Sequence, residues 1–164
     1  MTNFSKLSIL IFSIFFVTTN KTLGQDSLAV LTDSWLNLKT QLQRKADIVI
    51  NLTSIISKSE KADKALIEKI RSTAKDLRQF IDSSKTLDSL TVRLTYEKDN
   101  NLRQAVSKTL AALIDDAKFK SQEESKNLQI QLMGVENRMA SAKSNYNSIC
   151  IKYKRTDLIY EKLK

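Results

Sequence analysis

The stretch LQIQLMGVENRMASAKSNYNSICIKY, residues 128–153, decides the fold. Within it Leu128, Leu132, Val135, Met139, Ala142, Tyr146, Ile149 and Tyr153 follow at alternating steps of four and three. That is the spacing of a helix packed along one apolar seam. A stripe this regular has to be covered, so three other helical segments are expected to cover it. The rest of the composition agrees: Pro is absent and Gly occurs only at Gly24 and Gly134. Sheets and barrels need both residues at their turns. The expectation is an all-α protein, an antiparallel up-down-up-down four-helix bundle with long helices, preceded by an N-terminal hydrophobic leader. Residues 1–25 form the leader and residues 26–164 one domain.

Working outward, a first helix is expected to begin near Asp26-Ser27, either of which can cap it. Its seam reads Leu28, Leu31, Trp35, Leu38, Leu42, Lys45, Val49, Leu52 and Ile56. Lys45 is a cation in a slot made for an apolar side chain. Either its stem packs and its ammonium reaches out to water, or it pairs with a carboxylate on another helix and fixes register. Ser57 and Glu60 have capping-box spacing ahead of a second helix over 61–81, with Ala62, Leu66, Ile70, Thr73, Leu77 and Phe80 as its apolar face. Thr86 is a candidate cap for a third helix carrying Leu87, Leu90, Leu94, Leu102, Val106, Leu110, Leu113 and Ala117. Asp99-Asn100-Asn101 can interrupt it, because such side chains compete for local backbone groups. A polar stretch, Lys118 to Lys126, leads into the last helix. Gly134 lies away from the seam there, where it costs about 1 kcal/mol relative to Ala. It marks either a close backbone approach or a tolerant position.

The leader is a different kind of sequence. Lys6 supplies a positive start, Leu7 to Val17 is apolar apart from two serines, and Thr18 to Gln25 is small and polar. This is the layout of a secretory signal peptide. Eleven helical residues span only about 16 Å, against a hydrocarbon core of roughly 30 Å. A short uncleaved membrane anchor is the alternative. No Cys lies near the junction, which excludes a lipoprotein anchor. Either way the domain is expected outside the cytoplasm, periplasmic or otherwise extracytoplasmic, soluble after cleavage or tethered to the inner membrane. That placement argues against nucleic acid as a partner.

Charge and chemistry narrow the function further. The formal charge is +9, and without Lys6 and Lys21 the chain keeps 25 basic against 18 acidic side chains. The surplus suits acidic lipid headgroups or other polyanions, although the lysines are spread through mixed-charge helices. There is no His, a single Cys (Cys150) and Glu at seven positions. A disulfide within the chain is impossible, and neither a di-iron Glu-x-x-His site nor a Ser-His-Asp triad can be assembled. No cofactor, metal or catalytic residue is expected. Cys150 beside the seam is either packing or a reactive thiol.

Two polar clusters stand out. Gln41 to Asp47 is dense in hydrogen-bonding groups, and so is Val135 to Met139, where Glu136 and Arg138 flank the seam and Asn137 projects away from it. They are either interhelical hydrogen bonds with a solvated face or a patch that recognises a partner. The candidate residues are Arg44, Lys45, Asp47, Asn51, Glu136, Asn137, Arg138, Tyr146 and Asn147.

The run Gln41-Leu42-Gln43-Arg44-Lys45-Ala46-Asp47-Ile48-Val49-Ile50-Asn51-Leu52 resembles the signature QLQRRADLIPNL of the LemA family. Val135 to Lys143, followed by Tyr146-Asn147 and Tyr153, resembles that family's TENRI-A-AR…YN…YN. The two runs stand in the family's order, roughly 90 residues apart, and the resemblance covers about residues 28–153. It implies a four-helix-bundle domain on the outer face of the bacterial inner membrane, with no established activity. This chain departs from the pattern in places. Ile50 replaces a Pro, Asp115 to Lys120 lacks a YPDLK-like turn, and Lys154 replaces the Asn of the second YN pair. The expected role is a membrane-associated interaction protein of the cell envelope with a protein partner. The alternative is a module binding anionic membrane surfaces or polyanions.

Overall fold

The computed structural model describes residues 3–59, 63–113 and 115–161, with side chains from residue 26 onward. It is all-helical, and no strand occurs among the described residues. The elements are α1 (Asn3–Ile56), α2 (Lys64–Ser83), α3 (Ser89–Ala112), the short α4 (Ala117–Ser121), α5 (Glu123–Lys152) and a 3₁₀ turn (Thr156–Leu158). No described helix is long and apolar enough to cross a membrane. The leader's apolar side chains lie outside the described residues, and so does its reading as signal or anchor.

Aspartates set the starts of α2, α3 and α4. Asp63 accepts the amide of Ala65 at 2.8 Å, Asp88 that of Thr91 at 2.7 Å and Asp116 that of Phe119 at 3.0 Å. Each satisfies an amide that the first turn leaves without an intrahelical partner. Three expected starts are corrected: α1 runs unbroken through Asp26-Ser27, so neither residue caps it. α2 starts at Lys64 behind Asp63, and Glu60 of the expected capping box lies outside the described residues. Thr86 does not cap α3; its hydroxyl donates to the Asp88 carboxylate at 2.8 Å, which holds the true cap in place. The last helix begins at Glu123, five residues before its seam, with Glu123 and Glu124 in the turn where the helix dipole favours acids.

The seam of α1 is buried from Leu31 to Ile56, Lys45 included, while Leu28 is 55 % exposed. On α2 the buried face is Ile67, Ile70, Ala74, Leu77 and Ile81, turned from the expected one; Leu66, Thr73 and Phe80 are only half-buried. α3 departs most. Its inward face is Thr91, Val92, Thr95, Asp99, Leu102, Ala105, Val106 and Thr109, whereas Leu90 is exposed and Leu87 and Leu94 are half-buried. Ala117, expected to end that seam, is exposed in α4. Threonine can point inward because its hydroxyl bonds its own helix: Thr95 to Thr91 O at 2.7 Å, Thr109 to Ala105 O at 2.9 Å. Asp99-Asn100-Asn101 does not interrupt α3, because Asp99 finds partners on other helices instead of competing for the backbone.

Side-chain pairs give the packing directions. Across α1 and α2, Lys39 meets Ser84, Gln43 meets Asp82 and Asp47 meets Arg78. Across α1 and α5, Trp35 meets Tyr146, Gln41 meets Arg138 and Lys45 meets Glu136. One number rises as the other falls, so both pairs are antiparallel. α2 also packs on α3, but α3 and α5 barely approach one another. A second small core, Leu52, Ile55, Ile56, Ile67, Leu113 and Phe119, closes the far end. There Ser59 hydrogen-bonds Asp116 across the two loops.

The C-terminal segment was not foreseen from the sequence. α5 ends in a Schellman arrangement: the Arg155 amide donates to Cys150 O at 2.8 Å and that of Lys154 to Ile151 O at 3.0 Å. Lys154 takes a left-handed φ of 57° at the turn. The chain then folds back and buries Leu158 and Tyr160, with the Tyr160 ring against Tyr96 (5.5 Å) and Trp35 (6.3 Å). Gly134 is explained as a tolerant position. A Cβ there would meet only the Arg138 guanidinium, at 3.5 Å, and no other backbone comes near.

Candidate functional site

α1 carries Lys45 into the interior because its neighbours three and four residues away, Leu42 and Val49, are fully buried. Its side chain is 1 % exposed, which overturns the solvent-reaching alternative. The ammonium donates to Asp99 Oδ1 of α3 at 2.7 Å and pairs with Glu136 Oε1 of α5 at 2.7 Å. Arg103 approaches the other Asp99 oxygen at 3.7 Å from the rim. One buried cation thus ties three helices together, and two of them, α3 and α5, otherwise hardly touch. Tyr160 lies beside Asp99; burial pushes its phenol well above the ordinary tyrosine range, and the Asp99 charge adds to the rise.

The two polar clusters read from the sequence face each other across α1 and α5. Gln41 is buried and accepts from Arg138 Nε at 3.4 Å, and Lys45 meets Glu136 one turn further on. Asp47 turns to the other side and pairs with Arg78 at 3.0 Å. Arg44 and Asn51 face solvent. Asn51 borders a polar hollow shared with Glu123, Asn127 and Gln131. Tyr146 is fully buried against Trp35, with ring centroids 5.3 Å apart. Asn147 accepts the buried amide of Tyr160 at 3.0 Å and so holds the folded-back C-terminal segment. The candidate residues therefore divide: Tyr146 and Asn147 build one end of the fold, whereas Lys45 and Glu136 meet at its middle, with Asn137 exposed beside Glu136.

Where α3 and α5 part there is an open groove of about 310 Å³. Val106, Leu132 and Met133 give it apolar walls, and Arg103, Glu136 and Asn137 a polar end. Met133 is 68 % exposed, and Ile130, one turn earlier on α5, is 65 % exposed. Glu136 links this surface to the interior: one carboxylate oxygen holds Lys45, yet its side chain remains 37 % exposed. Asp99, Arg103 and Met133 were not foreseen as part of a site. Asp99 was hidden in an apparent helix breaker, and no periodic signal marks the edge of a helix that lacks a neighbour.

The one cysteine and one lysine–serine contact are engaged in packing and backbone hydrogen bonds. The Cys150 thiol is buried, directed at Leu158 O at 3.8 Å, and burial raises its pKa, which disfavours the thiolate. Lys39 reaches Ser84, but at its backbone carbonyl, while the Ser84 hydroxyl donates to Phe80 O.

Comparison with known proteins agrees with the two signature runs. The model of the LemA family matches residues 34–158, most of the chain, and the chain belongs to that family. No curated protein sequence matches it.

Proposed function

We propose, with membership of the LemA family as the premise, that this chain is an exported, membrane-associated interaction protein of the bacterial envelope without catalytic chemistry. Its four long helices are read as one antiparallel up-down-up-down bundle, a reading supported by the antiparallel pairing of α1 with α2 and with α5. The observation that carries the functional reading is the groove between α3 and α5. A bundle built only to bury its own seams would close that gap. Here it stays open, with apolar walls, Met133 exposed on its α5 side and hydrogen-bonding groups at one end. This is the pattern of a partner site, an apolar centre with a few placed polar groups. The buried state of Cys150 and the full pairing of Lys45 support a binding role over a catalytic one.

Photo-crosslinking in the cell tests this. A crosslinking residue at Asn137 or at Met133 is expected to capture the same discrete envelope protein, and one at the exposed Lys69 on α2 is not. Identical adducts from all three positions would overturn the groove as the partner site. Hydrolysis of a peptide, glycan or phosphodiester by the purified protein at an enzyme-like rate would overturn the non-catalytic reading.

A further inference from the structure

We infer that the end of the molecule at which α1 leaves the leader docks on a bilayer surface containing anionic lipids. The inference rests on the proposed placement of the domain beside a membrane, and it concerns a surface separate from the α3–α5 groove. Seven large apolar side chains are exposed among the described residues. Two of them, Ile130 and Met133, lie farther along α5, Met133 in the wall of the groove. The other five, Leu28, Val30, Leu36, Leu90 and Ile151, gather at this one end. They sit on the early part of α1, the first turns of α3 and the last turn of α5, which the packing brings to the same end, spread over about 12 Å of its height.

The geometry of these residues selects the occupant. Successive helical residues turn by about 100°, so Leu28, Val30 and Leu36 point in three different directions around α1. A rigid partner protein covers one face and would leave the others wet. A fluid interface accepts apolar tips on all sides of a protruding end. Charge fits as well. Lys85, Lys152 and Lys154 are exposed here, and Lys152 lies over the Tyr153 ring at 5.5 Å. Two acids of the same end are engaged internally, Asp88 as the cap of α3 and Asp157 on Arg155. Asp26 and Asp33 on α1 remain exposed. The leader's apolar run ends at Val17, eleven residues before Leu28 on the same helix, or about 16 Å of rise. A bilayer that held that run would face this end of the molecule before any other part of the domain.

Cys150 is buried, so a cysteine placed on the surface can be labelled selectively. The full chain would be labelled with an environment-sensitive dye at Leu90→Cys, Ile151→Cys or Ile130→Cys. It would then be mixed with vesicles of phosphatidylcholine alone or with phosphatidylglycerol. On the anionic vesicles, dyes at 90 and 151 are expected to shift to the blue. They should be quenched severalfold more by nitroxide-labelled lipid than the dye at 130, and the difference should shrink in Lys152→Glu/Lys154→Glu. Dyes at 90 and 151 as open to aqueous iodide as the one at 130 would overturn the docking. Equal docking on neutral vesicles would overturn the part played by the lysines. Neither result depends on where the protein resides in the cell, so cell fractionation tests the envelope placement separately.

Discussion

At the scale of single residues, Lys45 shows what an ion costs and does inside a helical core. Alone, its buried ammonium would be strongly destabilising. Held between Asp99 and Glu136 it is compensated, and it specifies which helices meet and at what height. Lys45→Met is expected to cost about 3–5 kcal/mol, because Asp99 would then be a buried carboxylate lacking its main partner. Lys45→Met combined with Asp99→Leu should recover most of that loss, since Glu136 is exposed enough to be solvated. Urea unfolding of the single and double variants measures it, and additive losses in the double variant would refute the coupling. Asn147 teaches a related lesson: an amide that reads as a surface group is the acceptor for a buried backbone N–H.

At the scale of elements, helix ends depend on short polar side chains and on backbone handedness. Lys154 occupies the left-handed position of the Schellman turn, where Gly and Asn are favoured and other residues are strained. This is the position at which the chain departs from the second YN pair of its family. Lys154→Asn is expected to stabilise the protein by about 0.5–1 kcal/mol, read as a higher urea midpoint with an unchanged slope. An unchanged or lower midpoint would mean that the Lys152–Lys154 charge or its contacts matter more than the turn. Boundaries were also the least legible feature of the sequence. Three aspartates cap the helices, and one of them, Asp88, was passed over in favour of Thr86. The carboxylate of Asp88 is held below the usual range chiefly by the Thr91 amide, a cap signature visible only once the turn is built.

At the scale of the whole molecule, α1 serves as the central rod, with α2 and α5 on it, α3 reached through α2, and the C-terminal segment plugging one end. That plug makes stability sensitive to high pH. Burial raises the pKa of Tyr146, Tyr160 and Cys150. Their neutral forms are therefore favoured by folding. Below the unfolded values, about 8.5 for the thiol and about 10 for the phenols, they ask nothing of stability. Above those values the unfolded chain ionises first, and stability falls as pH rises. Helix content by circular dichroism should be flat through neutrality and drop from about pH 9–10 upward, with the phenolate absorbance of Tyr146 and Tyr160 appearing as the helices melt. Ionisation of all four tyrosines while the helices stay intact would contradict the plugged end.

The wording of two runs carried the family resemblance, and periodicity alone determined that the chain is helical and which faces of α1 and α5 are buried. Those properties follow from the fixed turn of a helix, so they are local and can be counted along the chain. Only the tertiary structure decided that Asp99 belongs with Lys45, that threonines line α3, that Tyr160 returns to the core and that α3 and α5 stay apart. Each depends on a partner distant in the sequence, and a polar side chain can face inward once such a partner, or its own helix's carbonyl, accepts its hydrogen bond.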